Sequence, residues 1–488
     1  MKLIAVDLGT TNIKTAVYNE ALQLCGSSSA PVVYDRLGSR VEFDAEQYAE
    51  SLLTMLAEHT AVGVLSANEP CTISLTGQAE TLIVLGEDGK PLRPAISWMD
   101  ERSDEECEYI ASQVDAATCY RITGQMAVLP TWPATKILWL KKHEPEIWSK
   151  AAHYVLLKDY VVYYLTGKLL ADMSIATFSF YFDIYKKQYW QEMMDLCGIR
   201  ADQLPQLAEP CTVAGPLSGE AAEKAGLRNA VVNIGTLDHF AGMVGTGNIA
   251  PGGVSLSTGT VMALATMAAD AVPEDAGIAM HYGFLPDTHV MLPVAESGGV
   301  SLEWFKRSCL GSMNYDELNV AIAEREMPNS VLFLPYLVGT NAPEFDRDAC
   351  GVFAGLRAEH DAADMAYAVM EGVSHLLRRN LEAIHEAGTE VSRIVATGGG
   401  AKSAIWCQLQ ADVTGIPVSI PAEKEAACLG AAIIAAVGAG LYENLNSACQ
   451  KVVSFEKTYH PTKNEQLERK YRQFGALYQA ALNVMRMD

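Results

Sequence analysis

Hydrophobic residues near the start of the chain form two short runs that a polar turn separates. Residues 3–6 are apolar and predict a buried strand that ends at Asp7, and residues 13–18 predict a second strand. The turn at residues 9–12, Gly-Thr-Thr-Asn, is typical of a β-hairpin. The same acid, hydroxyl and backbone donors also suit a metal-bridged polyphosphate, so both interpretations stay open at this point. The pattern matches neither the Walker phosphate loop nor the three-glycine dinucleotide fingerprint.

Two later segments repeat the combination of a strand and a turn rich in glycine. Residues 252–264 predict a second hairpin, which indicates two related halves facing each other across a cleft or, alternatively, two unrelated hairpins. Residues 393–397 predict a strand that ends in Gly-Gly-Gly-Ala-Lys-Ser at 398–403, before a helix over 404–414. Such a bare backbone admits a flat ring or a phosphate at the helix N-terminus, and the alternative is a tight turn without a ligand.

The remaining pattern alternates strand and helix signals of ordinary length. The predicted elements are a helix over residues 44–59 with Asp44 as its N-cap, strands over 71–75 and 82–85, helical structure over 103–167, and a last helix over 464–487. Residues 426–440 are dominated by Ala and Gly, which predicts a close-packed core helix rather than a membrane span.

Composition limits the classes of function. The chain has 488 residues, which indicates two or three domains, and its net charge of −23 would repel nucleic acids and anionic membranes. Electrostatics therefore favours a neutral small molecule together with a metal-shielded nucleotide. The 11 cysteines contain no C-x-x-C pair, which argues against a zinc site or a disulfide framework. No secretory signal is visible at the start of the sequence, so we expect a cytoplasmic protein.

Taken together, these motifs resemble those of the FGGY carbohydrate kinases, in the actin-like ATPase superfamily, over nearly the whole chain. The segments that match in order are a first phosphate motif at 7–11, a catalytic-aspartate segment at 235–238, a second phosphate motif at 257–260, two family blocks at 333–337 and 351–356, an adenosine motif at 398–403, and a last block at 425–432. Residues 133–140 nearly satisfy the first signature of the family, from which Thr131 departs.

The resemblance implies an α/β architecture with two actin-like (ribonuclease H-like) ATPase domains flanking a catalytic cleft. The N-terminal domain, residues 1–246, would bind the sugar and carry the first phosphate loop, and the C-terminal domain, residues 247–488, would bind ATP. Domain closure would exclude water, because water would otherwise compete with the sugar for the phosphoryl group. Members of the family often dimerise, so a homodimer is one option.

The resemblance also implies transfer of the γ-phosphoryl group of ATP to a sugar hydroxyl, with ATP and Mg²⁺ as cofactors. Asp7 would hold Mg²⁺, and Asp238 would accept the proton of the attacking hydroxyl. The alternative for Asp238 is an N-cap of the helix after Leu237. The residues expected to bind ATP are Thr10, Thr11, Asn12, Lys14, Thr258, Gly259, Thr260, Gly399, Gly400, Ala401 and Ser403.

The loop at residues 75–81, Leu-Thr-Gly-Gln-Ala-Glu-Thr, resembles the substrate loop of the family. The side chains expected to bind the sugar are Gln78, Glu80, Trp98, Asp100 and Asp238. The pattern departs from that of relatives, since glycerol kinases carry arginine at the position of Ala79 and many xylulokinases carry histidine at that of Glu80. For residues 98–102, a buried aromatic with an ion pair is a nearly equal alternative.

The predicted function is ATP-dependent phosphorylation of a ketopentose such as xylulose, with a polyol (glycerol or erythritol) or a sugar acid (gluconate) as alternative substrate. An actin-like ATPase without a sugar substrate is the alternative from a different class. The segment after Ala401 is too short for the peptide-binding domain of a chaperone ATPase. We interpret His239, beside Asp238, as structural, and likewise the pair Glu371 and His375, because two such residues without further ligands are more often a core or surface contact.

Overall fold

The structure is a computed structural model that describes residues 1–269, 277–325 and 327–486. Its strands are β1 (Lys2–Leu8), β2 (Asn12–Tyr18), β3 (Leu24–Pro31), β4 (Asp35–Leu37), β5 (Arg40–Phe43), β6 (Cys71–Gly77), β7 (Leu82–Leu85), β8 (Ala95–Ile96), β9 (His153–Leu156), β10 (Leu170–Asp172), β11 (Phe182–Asp183), β12 (Gln188–Tyr189), β13 (Gln206–Ala208), β14 (Val213–Pro216), β15 (Ala230–Asn233), β16 (Gly253–Thr258), β17 (Met262–Met267), β18 (Met280–Tyr282), β19 (His289–Met291), β20 (Val294–Ala295), β21 (Leu332–Leu334), β22 (Val352–Ala354), β23 (Arg393–Gly398), β24 (Val418–Pro421) and β25 (Phe455–Tyr459).

Helices occupy much of the rest of the described chain. They are α1 (Ala45–Ala61), α2 (Asp104–Gln113), α3 (Ala116–Thr123), α4 (Pro133–His143), α5 (Pro145–Lys150), α6 (Leu157–Thr166), α7 (Met173–Ala176), α8 (Gln191–Cys197), α9 (Gly219–Ala225), α10 (Asp238–Gly245), α11 (Gly299–Cys309), α12 (Tyr315–Ala323), α13 (Ala362–Glu386), α14 (Ala404–Thr414), α15 (Ala426–Gly438), α16 (Leu445–Val452) and α17 (Glu465–Met485). This mixture of helices and strands confirms the predicted α/β class.

The chain packs as two compact units. Unit 1 comprises Met1–Ile249, Ala279–Val290 and Glu425–Val453, and unit 2 comprises Ala250–Ile278, Met291–Lys424 and Ser454–Asp488. Two segments from the second half of the sequence, Ala279–Val290 and Glu425–Val453, therefore pack with unit 1. The predicted assignment of sugar binding to residues 1–246 and of ATP binding to residues 247–488 concerns ligands and stays a prediction.

Unit 1 is built on a six-stranded sheet with the order β14-β15-β6-β1-β2-β3. Strands β1, β6 and β15 are parallel, whereas β1 and β2 form an antiparallel hairpin. The predicted first hairpin is thus confirmed, although Asp7 lies inside β1 instead of ending it, because its backbone pairs with Lys14 and Thr76. Residues 3–6 are all buried, as expected of a strand with both faces covered.

Unit 2 repeats this arrangement in its own sheet. Its strands follow the order β17-β16-β23-β24-β25, with β20 paired to β17. Strands β16, β23 and β24 are parallel, and β16 and β17 form the second predicted hairpin. The predicted helix over 404–414 is confirmed as α14, which packs against the 25-residue helix α13. The two units therefore share one strand plan.

A close helix crossing in unit 1 explains the Ala- and Gly-rich segment. Helix α15 packs on α10 and contacts β1 and β6. A Cβ atom at Gly430 would lie 1.8 Å from the carbonyl oxygen of Ala241, and one at Gly245 would lie 1.9 Å from that of Ala426. Small residues are thus required, and the prediction of a core helix is confirmed. Within the described residues, we find no helix with the length and hydropathy needed to span a bilayer.

Most predicted local elements are confirmed, and one is wrong in part. Helix α1 begins after Asp44, whose side chain accepts the N–H of Gln47 at 2.9 Å. The expected helical structure over 103–167 is wrong at β9, a strand that pairs with β7. The sequence did not indicate this strand, because four residues between helical segments are too few for a recognisable strand pattern. The last helix is α17, and Met487 of the predicted range lies outside the described residues.

Candidate active site

In unit 1, Asp7, Gln78 and Asp238 lie where the parallel strands β1, β6 and β15 reach their carboxyl ends. Ligands of open α/β sheets bind at this edge. Asp7 is in register with Thr76, and the N–H of Gln78 donates to the carbonyl of Leu8 at 3.1 Å. The loop after β15 leads to Asp238 at the start of α10. The first phosphate turn, the substrate loop and the catalytic-aspartate segment are therefore neighbours in one unit.

Asp7 is the most electrostatically perturbed of these groups. Its pKa is raised to about 7, chiefly by burial and also by the carboxylate of Asp238, while the ammonium of Lys14 opposes both effects. Lys14 stands opposite Asp7 in the hairpin, and its Nζ lies 2.7 Å from Oε2 of Glu425. A half-buried carboxylate beside a second carboxylate is a place where a divalent cation would be stabilised.

A magnesium ion fits this pair of carboxylates if waters and substrate phosphates supply most of its ligands. In the described residues, we find no cluster of three His, Cys, Asp or Glu side chains that could enclose a metal ion. Mg²⁺ needs no such cluster, because it keeps several waters and uses one or two carboxylates together with substrate phosphates. Asp7, with Asp238 close by, offers carboxylates of this kind.

Asp238 is the first residue of α10, and the N-cap position belongs to Leu237. The alternative of an N-cap at Asp238 is thus wrong. One carboxylate oxygen of Asp238, Oδ1, accepts the N–H of His239 at 2.6 Å. The side chain is half-buried. A carboxylate held in this way at a helix start is oriented by the backbone, and its second oxygen is available for another contact.

Polar side chains fix the first phosphate turn from several directions. The carbonyl of Gly9 accepts hydrogen bonds from the Tyr48 hydroxyl at 3.1 Å and from the Gln78 amide at 3.2 Å. The carbonyl of Thr10 accepts from the Tyr34 hydroxyl at 2.8 Å. Neither tyrosine is predictable from local sequence patterns, because these contacts bring together distant parts of the chain.

The substrate loop contains a residue in an unusual backbone conformation. Glu80 has φ = 65°, a left-handed value that non-glycine residues seldom adopt and that clusters at functional sites. Burial raises the pKa of Glu80 to about 7, against the lowering effects of the Lys136 ammonium and a hydrogen bond with Thr131. Nearby, Thr81 donates to Oε1 of Gln78 at 2.8 Å, which leaves the Gln78 amide directed to Gly9.

Lys136 is a third residue near the candidate site that no sequence pattern indicated. It lies on α4 with a fully buried side chain, and its Nζ donates to the carbonyls of Ser97 at 2.8 Å and Glu80 at 3.3 Å. Burial lowers its pKa to about 8, while Glu80 and Asp100 act in the opposite direction. A single lysine in a run of buried residues on α4 is the signal that could have identified it.

Trp98 and Asp100 differ in what they can offer a substrate. The indole N–H of Trp98 donates to the Thr10 hydroxyl at 2.9 Å, and 38% of the residue is exposed. Asp100 is completely buried, and its two oxygens accept from Arg102 at 2.6 and 2.8 Å and from the Val41 N–H at 2.6 Å. These contacts favour the ion-pair alternative for Asp100, and sugar binding by Trp98 stays a prediction.

In unit 2, the second phosphate turn and the adenosine turn lie side by side. Thr258 at the end of β16 is in register with Gly398 at the end of β23. A Cβ atom at Gly400 would lie 2.9 Å from the Cβ of Thr258. Gly259, Thr260 and Gly399 are exposed, Ala401 is half-buried, and the buried hydroxyl of Thr258 has no hydrogen-bond partner among the described residues.

Ser403 has a structural task in the same unit. It is the N-cap of α14, where its hydroxyl accepts the N–H of Trp406 at 3.3 Å and donates to Asn319 at 2.8 Å. A nucleotide contact by Ser403 stays a prediction, as do those of the other residues expected to bind ATP, which are Thr10, Thr11, Asn12, Lys14, Thr258, Gly259, Thr260, Gly399, Gly400 and Ala401.

The pair Glu371 and His375 lies in the core of unit 2. Both side chains are buried on α13, and Glu371 forms an ion pair with Lys470 of α17. His375 contacts the rings of Tyr471 and Phe474. The structural interpretation of this pair is therefore confirmed, and it forms part of the contact between α13 and the last helix.

Two sheets of one strand plan, each with its candidate site residues at the edge of the parallel strands, are the architecture of the actin-like ATPase class. Residues 2–245 match the N-terminal domain and residues 254–439 the C-terminal domain of the FGGY family of carbohydrate kinases. The chain therefore belongs to this family, as the sequence motifs predict, and it is an enzyme that phosphorylates a sugar hydroxyl using ATP.

Individual relatives cover nearly the whole chain. A xylulose kinase of Escherichia coli is 30% identical over 491 residues, which cover 99% of this chain and 99% of the relative. A gluconokinase of Bacillus subtilis is 28% identical over 509 residues, which cover 99% of this chain and 96% of the relative. The crystal structure of a ligand-bound xylulose kinase from Lactobacillus acidophilus has a TM-score of 0.91 and 26% identity, with 99% of this chain and 98% of that chain covered.

Proposed function

We propose that the protein transfers the γ-phosphoryl group of ATP to a hydroxyl of a ketopentose, with D-xylulose as the first candidate. Relatives named xylulose kinase support this substrate. The observation that carries the proposal is the grouping, in unit 1, of Asp7 and Asp238 with the polar loop of Gln78 and Glu80. The two carboxylates suit phosphoryl transfer, and the loop offers hydrogen-bonding groups to hydroxyls.

In this proposal Asp238 is the general base. Phosphoryl transfer requires little covalent chemistry from the protein and depends on positioning and charge stabilisation. A carboxylate within about 3 Å of the attacking hydroxyl can accept its proton as the new bond forms. The backbone N–H of His239 fixes one oxygen of Asp238, so the other can face an alcohol.

Asp7 is proposed to hold Mg²⁺ together with the phosphates. When bound, the ion supplies charge neutralisation at the transferred group. Burial is the largest cause of the raised pKa of Asp7, about 7, so Lys14 compensates the ionised carboxylate only in part in the free protein. Unit 2 would bind ATP through the exposed backbone at Gly259, Thr260 and Gly399.

The gluconokinase relative makes a sugar acid the second candidate substrate. A gluconate carboxylate is bound most strongly by a cationic side chain. The lysine that contacts the substrate loop, Lys136, is fully buried and donates to the carbonyls of Ser97 and Glu80. A cation engaged in this way is a poor receptor for a substrate carboxylate, so the neutral ketopentose is preferred.

Sugar-dependent ADP formation tests the proposal. Purified protein with MgATP is assayed with D-xylulose, D-gluconate, glycerol, erythritol or no addition, and the same compounds are compared by thermal shift. We expect D-xylulose to raise ADP formation at least about tenfold above the rate without sugar and to give the largest shift. Faster turnover of gluconate would overturn the ketopentose, and equal ADP formation in all samples would favour an actin-like ATPase.

A further inference from the structure

The loop that leads to Asp238 is held by buried polar groups from other parts of unit 1. This loop, residues 234–237, connects β15 to α10. The carbonyl of Ile234 accepts from Nζ of Lys158 at 2.6 Å, and the carbonyl of Thr236 accepts from the hydroxyl of Thr76 at 2.9 Å. Gly235 has φ = 63°, and a Cβ atom there would lie 1.7 Å from the carbonyl oxygen of Leu75. The loop is therefore tight against β6.

Four side chains, those of Lys158, Asp172, Ser174 and Thr236, form a connected network of hydrogen bonds that ends in this loop. Lys158 on α6 forms an ion pair with Asp172, which is the N-cap of α7. Asp172 accepts the N–H of Ser174 at 2.7 Å and also its hydroxyl. The Ser174 hydroxyl then lies 2.7 Å from that of Thr236 and accepts the N–H of Leu237 at 3.3 Å. Because the Ser174 proton goes to Asp172, Thr236 is the donor to Ser174.

Every member of this network is buried. Lys158 and Asp172 are each 1% exposed, and Ser174 and Thr236 are 0% exposed. They thus have no access to sugar or nucleotide from solvent. A buried ion pair is costly to maintain unless further hydrogen bonds satisfy it, and here the backbone of the Asp238 loop supplies such bonds. A satisfied network of this kind rigidifies the segment that it holds.

The loop is also the segment whose position determines the placement of Asp238. A general base must lie within hydrogen-bond reach of the acceptor hydroxyl, and a displacement of about 1 Å can lower a rate about 100-fold. The N–H of Leu237, which Ser174 accepts, belongs to the residue directly before Asp238. The network therefore ends one residue away from the proposed base.

We propose that Lys158, Asp172, Ser174 and Thr236 are positioning residues for phosphoryl transfer, which act by fixing the backbone that presents Asp238 to the acceptor hydroxyl. This inference rests on the proposed role of Asp238 as general base. It assigns a kinetic function to buried polar groups that a purely structural account would connect with stability.

Substitutions of Thr236 test the inference without a large change in volume. Thr236→Val removes the hydroxyl and keeps the shape, and we expect kcat to fall about 10- to 100-fold while KM for sugar and ATP changes less than about threefold. Thr236→Ser keeps the hydroxyl and should restore most of kcat. The matched control is Thr123→Val, since the Thr123 hydroxyl is equally buried and bonded to the Cys119 carbonyl at 2.8 Å at the end of α3. This control should lower Tm and leave kcat unchanged.

A double-variant cycle separates positioning from general damage. In the Asp238→Asn background, Thr236→Val should lower the remaining rate by less than about threefold, because the group that it positions is already absent. An equal loss in both backgrounds would overturn the inference. If the remaining rate is too low to measure, a kcat of Thr236→Ser well above that of Thr236→Val would support the inference, and an equal or lower kcat would overturn it.

The single variants distinguish the two proposals. Near-normal kcat in Asp238→Asn alone would refute the proposed base and, with it, the positioning network. Loss of kcat in Asp238→Asn together with normal kcat in Thr236→Val would refute the network alone. Circular dichroism and Tm of each variant establish that the folded enzyme is being measured.

Discussion

The sheets of the two units have the same strand plan and differ in what their edges carry. In unit 1, β1 is paired with β2 and parallel to β6, and in unit 2, β16 is paired with β17 and parallel to β23. By register, Gly77 corresponds to Gly398 and Asp7 to Ser257. The edge of unit 1 thus carries a carboxylate where that of unit 2 carries a hydroxyl.

The difference extends along the loops that follow the strands. After β6 come Gln78 and Glu80, whereas after β23 comes a glycine-rich turn with exposed backbone. Carboxylates and amides suit proton transfer, metal binding and hydroxyl recognition, while bare backbone admits flat or anionic groups. If the proposed roles hold, a few loop residues specialise one copy of this strand plan for catalysis and the other for nucleotide binding.

Among the changes that probe the difference between the two edges, the largest effect is expected from removing the carboxylate of Asp7. Asp7→Asn should lower kcat by about 100-fold, since a metal that neutralises the transferred phosphoryl group contributes several kcal/mol. It should also abolish the Mg²⁺-dependent rise of Tm measured with ADP. Ser257→Ala is the matched control at the corresponding position, and it should keep this Mg²⁺-dependent rise. Loss of the rise in both variants would contradict the assignment of the metal to unit 1.

A smaller effect is expected from adding a methyl group to the edge of unit 2. Gly399 has φ = −64° and ψ = −41°, and a Cβ there would meet only the Thr258 carbonyl oxygen, at 3.7 Å, so Gly399→Ala should fold normally. If nucleotide packs on this backbone, overpacking by about 2 kcal/mol would raise KM for ATP about 30-fold and leave sugar-dependent thermal shifts intact. Gly219→Ala, in open space at the start of α9, is the control. Unchanged KM for ATP would argue against nucleotide binding at this turn.

The smallest expected effect is a pH dependence that belongs to unit 1. Burial raises the pKa of Asp7 to about 7, so the carboxylate proposed to bind Mg²⁺ is largely protonated below that pH. Raising the pH from 6 to 8 should tighten Mg²⁺ binding by about tenfold. Titration calorimetry in the presence of ADP measures this change.

The raised pKa of Asp7 also affects stability: a rise in pH that strengthens Mg²⁺ binding should lower the free energy of unfolding of the unliganded protein. Because the folded pKa lies above the unfolded value of 3.8, the unliganded protein should lose free energy of unfolding as pH rises from about 4 to about 7. In Asp7→Asn this contribution is absent, so its urea denaturation should show a weaker decline over that range. Identical pH profiles for both proteins would show that Asp7 is not the titrating group.

Sequence patterns predicted the hairpins, α14 and the core helix because these elements depend on local periodicity. They could not show that α15 packs with unit 1, since apolar periodicity does not reveal which sheet a helix contacts. They also missed β9, whose four residues lie between helical segments. Strand pairing over long distances decides such short elements, and no local signal records it.

The structure brings Asp7, Gln78 and Asp238 to the same edge of one sheet, as motifs that carry their own chemistry predicted, and their roles stay predictions. The groups that support those residues were not predictable, because a lysine on a helix is usually solvated and only the tertiary structure shows Lys136 and Lys158 to be buried. Asp100 is the opposite example, a residue that the sequence suggested for sugar binding and that the fold shows in an ion pair. Its position after Trp98 fits a sugar pocket equally well, and its ion pair with Arg102 becomes visible only in the fold.

The most direct test of the account is sugar-dependent ADP formation by Asp238→Asn beside the unmodified enzyme. Removal of a general base costs about 10²- to 10⁴-fold in rate, so the variant should lose most of its turnover while sugar still raises its Tm. Asp44→Asn is a suitable control, because asparagine also caps a helix start. Near-normal ADP formation by Asp238→Asn would contradict the claim that this carboxylate activates the acceptor hydroxyl.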